Sequence, residues 1–527
     1  MYDLVLKNGT IVDGKRNAPY VGDLAITGGK IAAIGKVDGE AKQIVDVSGL
    51  VVSPGFIDMH SHSDVSPMLS TDMASKLCQG VTTEVVGNCG VGMVPACDAN
   101  RPLLPIAFSI LGAKFNNPAY RADNTTEYKE FIEANARPAL NLAPLIGHGA
   151  IRSYVVGLEN REPNEEELEK MKALLDDELS RGAWGMTLGL IYPPGIFSRT
   201  RELIELSKVV AKHGKILTVH MRNEATGIFE ALDEMLCVAR ESGVHLHISH
   251  LKLYGAPMWH TSDRLLQKIA DAQAEGLYVT ADQYPYTASS TALSALLPKW
   301  ASAMGATGVA EAMADPEQTK KLLDGIVESI AEYGDASCVQ IASTGGHFKE
   351  AEGHRLSEIA QMIGATPQET VLYMLGRCQG QVACVYHAMS KENVLQIMQQ
   401  MYICVGSDGV AYPFDAAVIG DAPHPRNFAT FPRFLQTIRE NQLMPLEDAV
   451  YKMTGLTAKT LGLTDRGTLE IGSVADITVF DYEKIEDRST YTDPIHHPAG
   501  ICHVLVGGNF ALRDGKQTDA RDGSILV

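Results

Sequence analysis

Eight apolar runs of strand length recur between residues 55 and 460, at 56–60, 84–88, 140–147, 183–190, 216–221, 245–251, 278–283 and 403–407. Segments of helical spacing separate them, among them Glu165–Leu179, Arg201–His213 and Glu224–Ser242. Eight buried strands alternating with helices point to an α/β fold in which the strands are parallel and close into a (β/α)8 TIM barrel. Two more runs, 338–342 and 383–387, do not fit a count of eight. Residues 287–345 are therefore expected to form an insertion, with a helix over Glu317–Tyr333, placed like a lid over the barrel mouth.

The ends of the chain have a different texture. Residues 1–54 read as short strands spaced roughly ten residues apart and punctuated by glycine turns such as Asn8-Gly9, which suggests an antiparallel sheet. Strand texture returns after residue 460, in Ala475–Phe480 and His503–Gly508. The expected organisation is thus a small β-sandwich domain from residues 1–54 and 461–527, beside a barrel of residues 55–460.

A chain of 527 residues exceeds a typical single domain of roughly 100–200 residues and can bury a large core. Its net charge of −19, from 45 basic and 64 acidic residues, argues against sequence-independent binding of nucleic acid. Nine scattered cysteines, an odd number with no C-x-x-C, do not form a disulfide framework. Met1–Val5 does not open a signal peptide, and no run of about 18 apolar residues offers a membrane span. A reducing cytoplasm and a small-molecule substrate are expected; the oligomeric state is not legible. Gly87–Gly92 lacks dinucleotide-binding spacing, and no G-x-S-x-G supports a serine nucleophile.

The carboxyl ends of barrel strands converge on one cavity. Read in order, they deliver His60 and His62, Cys89, His220, His250 and Asp408. Residues two apart on a strand face the same way, so His60 and His62 act together. Taken singly, each member has an ordinary reading as a core histidine, a small buried thiol or a turn-forming aspartate. Six ligand-type side chains at strand ends of one barrel point instead to a metal, and the mixed N/S/O set points to zinc. Cys89, His220 and His250 make a three-ligand site with an open position. His60, His62 and Asp408 could complete a second site sharing Cys89. Zinc lowers the pKa of water to about 7, and Asp408 is the candidate general base and acid. His245 and His247, earlier on the strand of His250, read as supporting residues.

These motifs together resemble the N-acyl-D-amino-acid deacylase (D-aminoacylase) branch of the amidohydrolase superfamily. The resemblance spans nearly the whole chain. It rests on Pro54–His62, Gln79–Thr83, Gly87-Asn88-Cys89-Gly90, Gly189–Gly195, His220–Glu224, Ser249–Lys252, Asp282–Tyr286, Gly406–Gly409, His424–Arg426 and Lys452–Gly455. It implies hydrolysis of the amide of an N-acyl-D-amino acid to a carboxylate and a free D-amino acid, with one tightly held zinc on Cys89, His220 and His250 and a weaker second position. It also implies that Lys252, Tyr192 and Tyr284 lie near the substrate carboxylate; Arg377 is a further candidate. Ile196-Phe197-Ser198 departs from the branch, and Phe197 is expected to line a pocket for an apolar group. Two alternatives stay open. One is a cyclic amidohydrolase of hydantoinase or dihydroorotase type, which Cys89 in place of a bridging lysine disfavours. The other is a metal-free binding scaffold, which the intact ligand set disfavours.

Overall fold

The structure, a computed structural model, describes residues 1–104, 120–298, 300–301, 304–419 and 422–527. The amino-terminal strands β1 (Tyr2–Ile11), β2 (Tyr20–Thr27), β3 (Lys30–Gly35), β4 (Ala41–Asp46) and β5 (Val51–Pro54) lie in one sheet. β1 pairs antiparallel with β2 but parallel with β4 and β5, so the sheet is mixed where an antiparallel one was expected.

The barrel strands follow: β6 (Phe56–Asp58), β7 (Val81–Val86), β8 (Asn141–Pro144), β9 (Ile146–Gly147), β10 (Gly185–Gly189), β11 (Ile216–His220), β12 (His245–Ile248) and β13 (Val279–Gln283). The chain then leaves the barrel through β14 (Ser289–Ala292), β15 (Val339–Ser343) and β16 (Ala383–Tyr386) and returns at β17 (Ile403–Val405). Parallel pairing runs β6-β7-β8 and β9-β10-β11-β12-β13-β17. β8 and β9 are halves of one strand interrupted at Leu145, whose N–H donates to Val86 O at 2.9 Å. That makes eight strands. The ring closes between first and last, where Met59 N donates to Val405 O (3.2 Å), Asp408 N to His60 O (2.7 Å) and His62 N to Gly409 O (2.8 Å).

A buried ion cluster backs this seam. Lys76 Nζ lies 2.8 Å from Asp58 Oδ2 and 3.0 Å from Glu84 Oε1, and donates to Ser407 Oγ at 2.6 Å. Asp58 Oδ1 accepts from Ser407 N at 2.8 Å, so one carboxylate ties β6 to the chain after β17.

The outer helices follow from their sequences. Glu165–Ser180 starts at a capping box in which Asn164 and Glu167 satisfy each other's backbone N–H groups. It buries Leu168, Met171, Leu175 and Leu179, one stripe at helical spacing. The helix expected from Glu224 begins only at Ile228. Asn223 Oδ1 accepts from Ala225 N (2.8 Å) and Gly227 N (3.0 Å), a local turn that competes with helix and leaves Glu224 in a loop.

β16 lies between β14 and β15 in an antiparallel sheet with its own core, including Leu293, Leu322, Ile326, Val339, Ile341, Val371 and Leu375. The expected 287–345 insertion covers β14 and β15 but not β16; the excursion runs on to Tyr386. After the barrel, β18 (Ile477–Phe480), β19 (Ile501–Val506), β20 (Asn509–Arg513) and β21 (Lys516–Gln517) extend the amino-terminal sheet through pairing of β18 with β5. Leu4, Leu24, Val52, Ile477 and Leu505 share its core, to which both ends of the chain contribute. Among the described residues, no helix is long and apolar enough to cross a membrane.

His387, just beyond β16, bonds Gln340 Oε1 through Nε2 at 2.9 Å. Burial, then the Arg355 charge, push its pKa down to about 4. The folded pKa lies below the unfolded value near 6.5, so its contribution is full above pH 6.5 and is lost as pH falls towards 4. His387→Gln should therefore lose less stability than the unsubstituted protein between pH 7 and 4, as measured by thermal unfolding across that range.

Candidate metal centre

The strand ends deliver the expected groups to one point. Three imidazole nitrogens surround the Cys89 sulfur: His60 Nε2 at 3.4 Å, His250 Nε2 at 3.5 Å and His220 Nδ1 at 3.6 Å. His220 Nδ1 and His250 Nε2 are 3.0 Å apart. Asp408 Oδ1 lies 3.0 Å from His62 Nε2 and 3.5 Å from His60 Nε2. All six residues are buried.

The backbone is forced here. Cys89, His250 and Asp408 have φ of 55°, 38° and 52°, a left-handed conformation that is uncommon outside glycine and concentrates at functional sites. Close approach adds to it. A Cβ on Gly189, at the end of β10, would lie 1.9 Å from Cys89 O. A Cβ on Gly406 would lie 2.7 Å from His60 Cβ. Both glycines let the turns carrying Cys89 and Asp408 reach the barrel axis.

Carboxylates orient the imidazoles. Asp282 Oδ2 lies 3.2 Å from His60 Nδ1 and 2.9 Å from His247 Nε2, while Oδ1 accepts from His250 N at 2.8 Å. Glu224 Oε1 lies 3.0 Å from His250 Nδ1 and accepts from Lys252 Nζ at 2.6 Å. Lys252 Nζ also faces His250 Nδ1, at 2.7 Å; with a metal on Nε2, the proton on Nδ1 would be given to Glu224. Burial opposes ionisation of Glu224, but Lys252 and then His250 hold its pKa down to about 2. For Asp408, burial is outweighed by the Arg426 guanidinium, which donates to Oδ2 at 2.6 Å, and by His250 and His62, so its carboxyl stays well below the usual range. For Cys89, burial is outweighed by the His60 charge and by hydrogen bonds from His220 and His250, and the thiol falls well below its ordinary value.

This donor set fits a metal ion. A thiol disposed to ionise, imidazole nitrogens turned inward and a buried carboxylate are the groups that bind zinc. Among the described residues, two groups have atoms close enough together to hold an ion: His60, Cys89, His250 and Asp408, and His220, Glu224 and His250.

The centre floors a cavity of about 240 Å³ walled by barrel loops and by the insertion. Tyr192, Lys252 and Tyr284 line it. Tyr192 OH lies 3.2 Å from Thr291 Oγ1 of β14, linking barrel to insertion. Lys252 Nζ donates to Glu224 and to His250 O (2.8 Å). Arg377 is not brought here: it ends the helix Pro367–Arg377, its guanidinium 4.1 Å from the Phe348 ring centroid, and it donates to Tyr373 OH at 2.6 Å. Phe197 does not line the cavity, whereas its neighbour Ile196 does. Glu224, Asp282 and Arg426 lie within the motifs quoted for the family resemblance but had no role assigned from sequence. Their function depends on which nitrogen or oxygen they face, which spacing does not encode.

Residues 43–292 and 400–511 match the sequence profile described as the amidohydrolase family, on either side of the insertion. D-aminoacylase of Alcaligenes xylosoxydans xylosoxydans is 34% identical over 528 aligned residues, spanning 100% of this chain and 98% of that one. N-acyl-D-glutamate deacylase from Bordetella bronchiseptica, solved with zinc and a phosphonate that mimics the reaction's tetrahedral intermediate, is similar with a TM-score of 0.82 and 31% identity, covering 100% of this chain and 99% of that one. A solved D-aminoacylase, described for its binuclear metal centre with one-metal activation and second-metal attenuation, gives a TM-score of 0.82 and 33% identity over 100% of both chains.

Gly189→Ala tests the geometry. The added methyl must displace the Cys89 turn, at a cost of about 1–3 kcal/mol for overpacking. Thermal unfolding should shift down, and metal analysis after dialysis should find bound zinc reduced. Full zinc retention would show that the close approach does not set the Cys89 position.

Proposed function

The chain belongs to the amidohydrolase family, and from that premise we propose that it hydrolyses the amide of N-acyl-D-amino acids to a carboxylate and the free D-amino acid. The observation that carries this reading is Cys89 ringed by three imidazoles beside an ionised Asp408, at the floor of a cavity. The reading places one zinc on Cys89, His220 and His250, and a weaker position framed by His60, His62 and Asp408 across the same sulfur. Zinc held there would acidify water and polarise the amide carbonyl.

The chain's own groups do the rest. Arg426 occupies Asp408 Oδ2, so Oδ1, 3.0 Å from His62 Nε2, is the oxygen turned to the cluster and the one placed to take a proton from water and return it to the leaving amine. Lys252 Nζ donates to Glu224 and His250 O and also faces His250 Nδ1 at 2.7 Å; it lines the cavity with Tyr192 and Tyr284, and its positive charge is the group that would draw the substrate carboxylate. Ile191, Ile196, Ala292, Ala295 and Leu297 form the apolar part of the wall. Arg222, on the same wall, is engaged by Glu234 at 2.8 Å. An apolar amino-acid side chain suits this wall better than an acidic one. All nine cysteines are free, the state a reducing cytoplasm maintains.

A screen of N-acyl-D- and N-acyl-L-amino acids and cyclic amides, with and without added zinc, tests the reading. Zinc-dependent turnover of D substrates with apolar side chains is expected. Asp408→Asn should keep the tight zinc and lose roughly 10²-fold or more in kcat, the scale of a general acid–base group. Turnover of cyclic amides alone, or near-normal rates in Asp408→Asn, would contradict it.

A further inference from the structure

Hydrogen bonds behind the metal centre continue deep into the barrel. Thr187, Thr218, His247 and Thr280 stand side by side in register on β10 to β13, so their side chains share one interior layer. His220 and Asp282 lie two residues further along β11 and β13, one layer nearer the site. A continuous chain links the layers. His245 Nε2 is 2.8 Å from Thr280 Oγ1, and Thr280 Oγ1 is 2.8 Å from His247 Nδ1. His247 Nε2 is 2.9 Å from Asp282 Oδ2, which is 3.2 Å from His60 Nδ1. His245 is half-buried and stacks on Tyr278 with ring centroids 3.7 Å apart; His60, His247, Thr280 and Asp282 are buried.

The chemistry fixes the direction of each link. His60 can turn a lone pair on Nε2 towards a metal only if its proton sits on Nδ1, donated to Asp282. A neutral His247 facing the same carboxylate oxygen must carry its proton on Nε2, because an ionised carboxylate only accepts. His247 Nδ1 is then an acceptor, and the Thr280 hydroxyl is its donor. Thr280 Oγ1 keeps a lone pair for the Nε2–H of His245. His247 therefore clamps Oδ2 of Asp282 towards His60, while Oδ1 is held by the His250 backbone. Thr280 in turn fixes the His247 ring.

We propose that His247 and Thr280 are positioning residues that act through Asp282 to present Nε2 of His60 to the weaker metal position. This rests on the reading of His60 as a ligand of that position. Buried partners behind a metal-bound histidine are worth about 10–100-fold in metal affinity. Because the Cys89, His220 and His250 set does not depend on Oδ2, loss of the clamp should be selective.

The test uses the whole protein, its histidine ring nitrogens labelled with 15N, and zinc as the probe. In the protein carrying zinc at both positions, NMR should show His60 protonated at Nδ1 and not at Nε2, and His247 protonated at Nε2. His247→Phe should weaken binding of the second zinc about 10-fold or more and leave the first bound. Thr280→Val should weaken the second zinc in the same direction, and Thr280→Ser, which keeps the hydroxyl, should restore it. A variant that merely loosened the core would weaken both zincs and would not be rescued by serine. His60 protonated at Nε2, a doubly protonated His247, or unchanged affinity for the second zinc in both His247→Phe and Thr280→Val would each overturn the proposal. None of these readouts uses a substrate, so failure of the deacylase reading would appear in the substrate screen and not here.

Discussion

The seam between β6 and β17 is the constraint on which the rest depends. It joins segments 349 residues apart at the Ser407–Asp58 bond, and it is what makes a ring out of a curved sheet. Closing so long a loop costs entropy that only a well-packed contact offsets. Here, backbone hydrogen bonds are backed by Lys76, with no exposed surface, between Asp58 and Glu84. Such a cluster is strongly destabilised by loss of one partner, on the order of 3–5 kcal/mol, because an unpaired buried charge remains. It therefore fixes register as well as contact. Register sets the level at which His60, His62 and Asp408 meet, since Asp408 N donates to His60 O within the seam itself.

Strain gathers where the ring delivers its functional groups. Left-handed backbone at Cys89, His250 and Asp408 costs on the order of 1–3 kcal/mol each. The surroundings hold all three. Gly189 packs against the Cys89 carbonyl, Asp282 holds the His250 N–H, and Arg426 holds the Asp408 carboxylate. The polar interior of the barrel serves the same end. Asp282 and Glu224 do not face the cavity as free acids; each is occupied in turning an imidazole.

Much of this was legible in the sequence, because strand period and residue type are local properties. The eight runs and the six groups at their ends could be read directly, and the structure brings all six groups together. What escaped depends on competition between local and distant interactions. Glu224 looked helical until the Asn223 side chain captured the next turn. Arg377 and Arg426 are both basic residues at helix ends; only the tertiary fold puts Arg426 on Asp408 and Arg377 over the ring of Phe348. Parallel pairing of β1 with β4 and β5 was hidden because glycine turns mark the ends of strands, not their partners. The reach of the insertion to Tyr386 was hidden because a strand that crosses back between two others has no local signature.

In the proposed reading Cys89, and not only the paired histidines of the first strand, holds the metal. X-ray absorption at the zinc edge, on protein carrying one zinc per chain, tests it most directly. The account predicts a shell with one sulfur at about 2.3 Å together with imidazole nitrogens at about 2.0–2.1 Å, the sulfur being lost in Cys89→Ser. A shell of nitrogen and oxygen alone in the unsubstituted protein would contradict it.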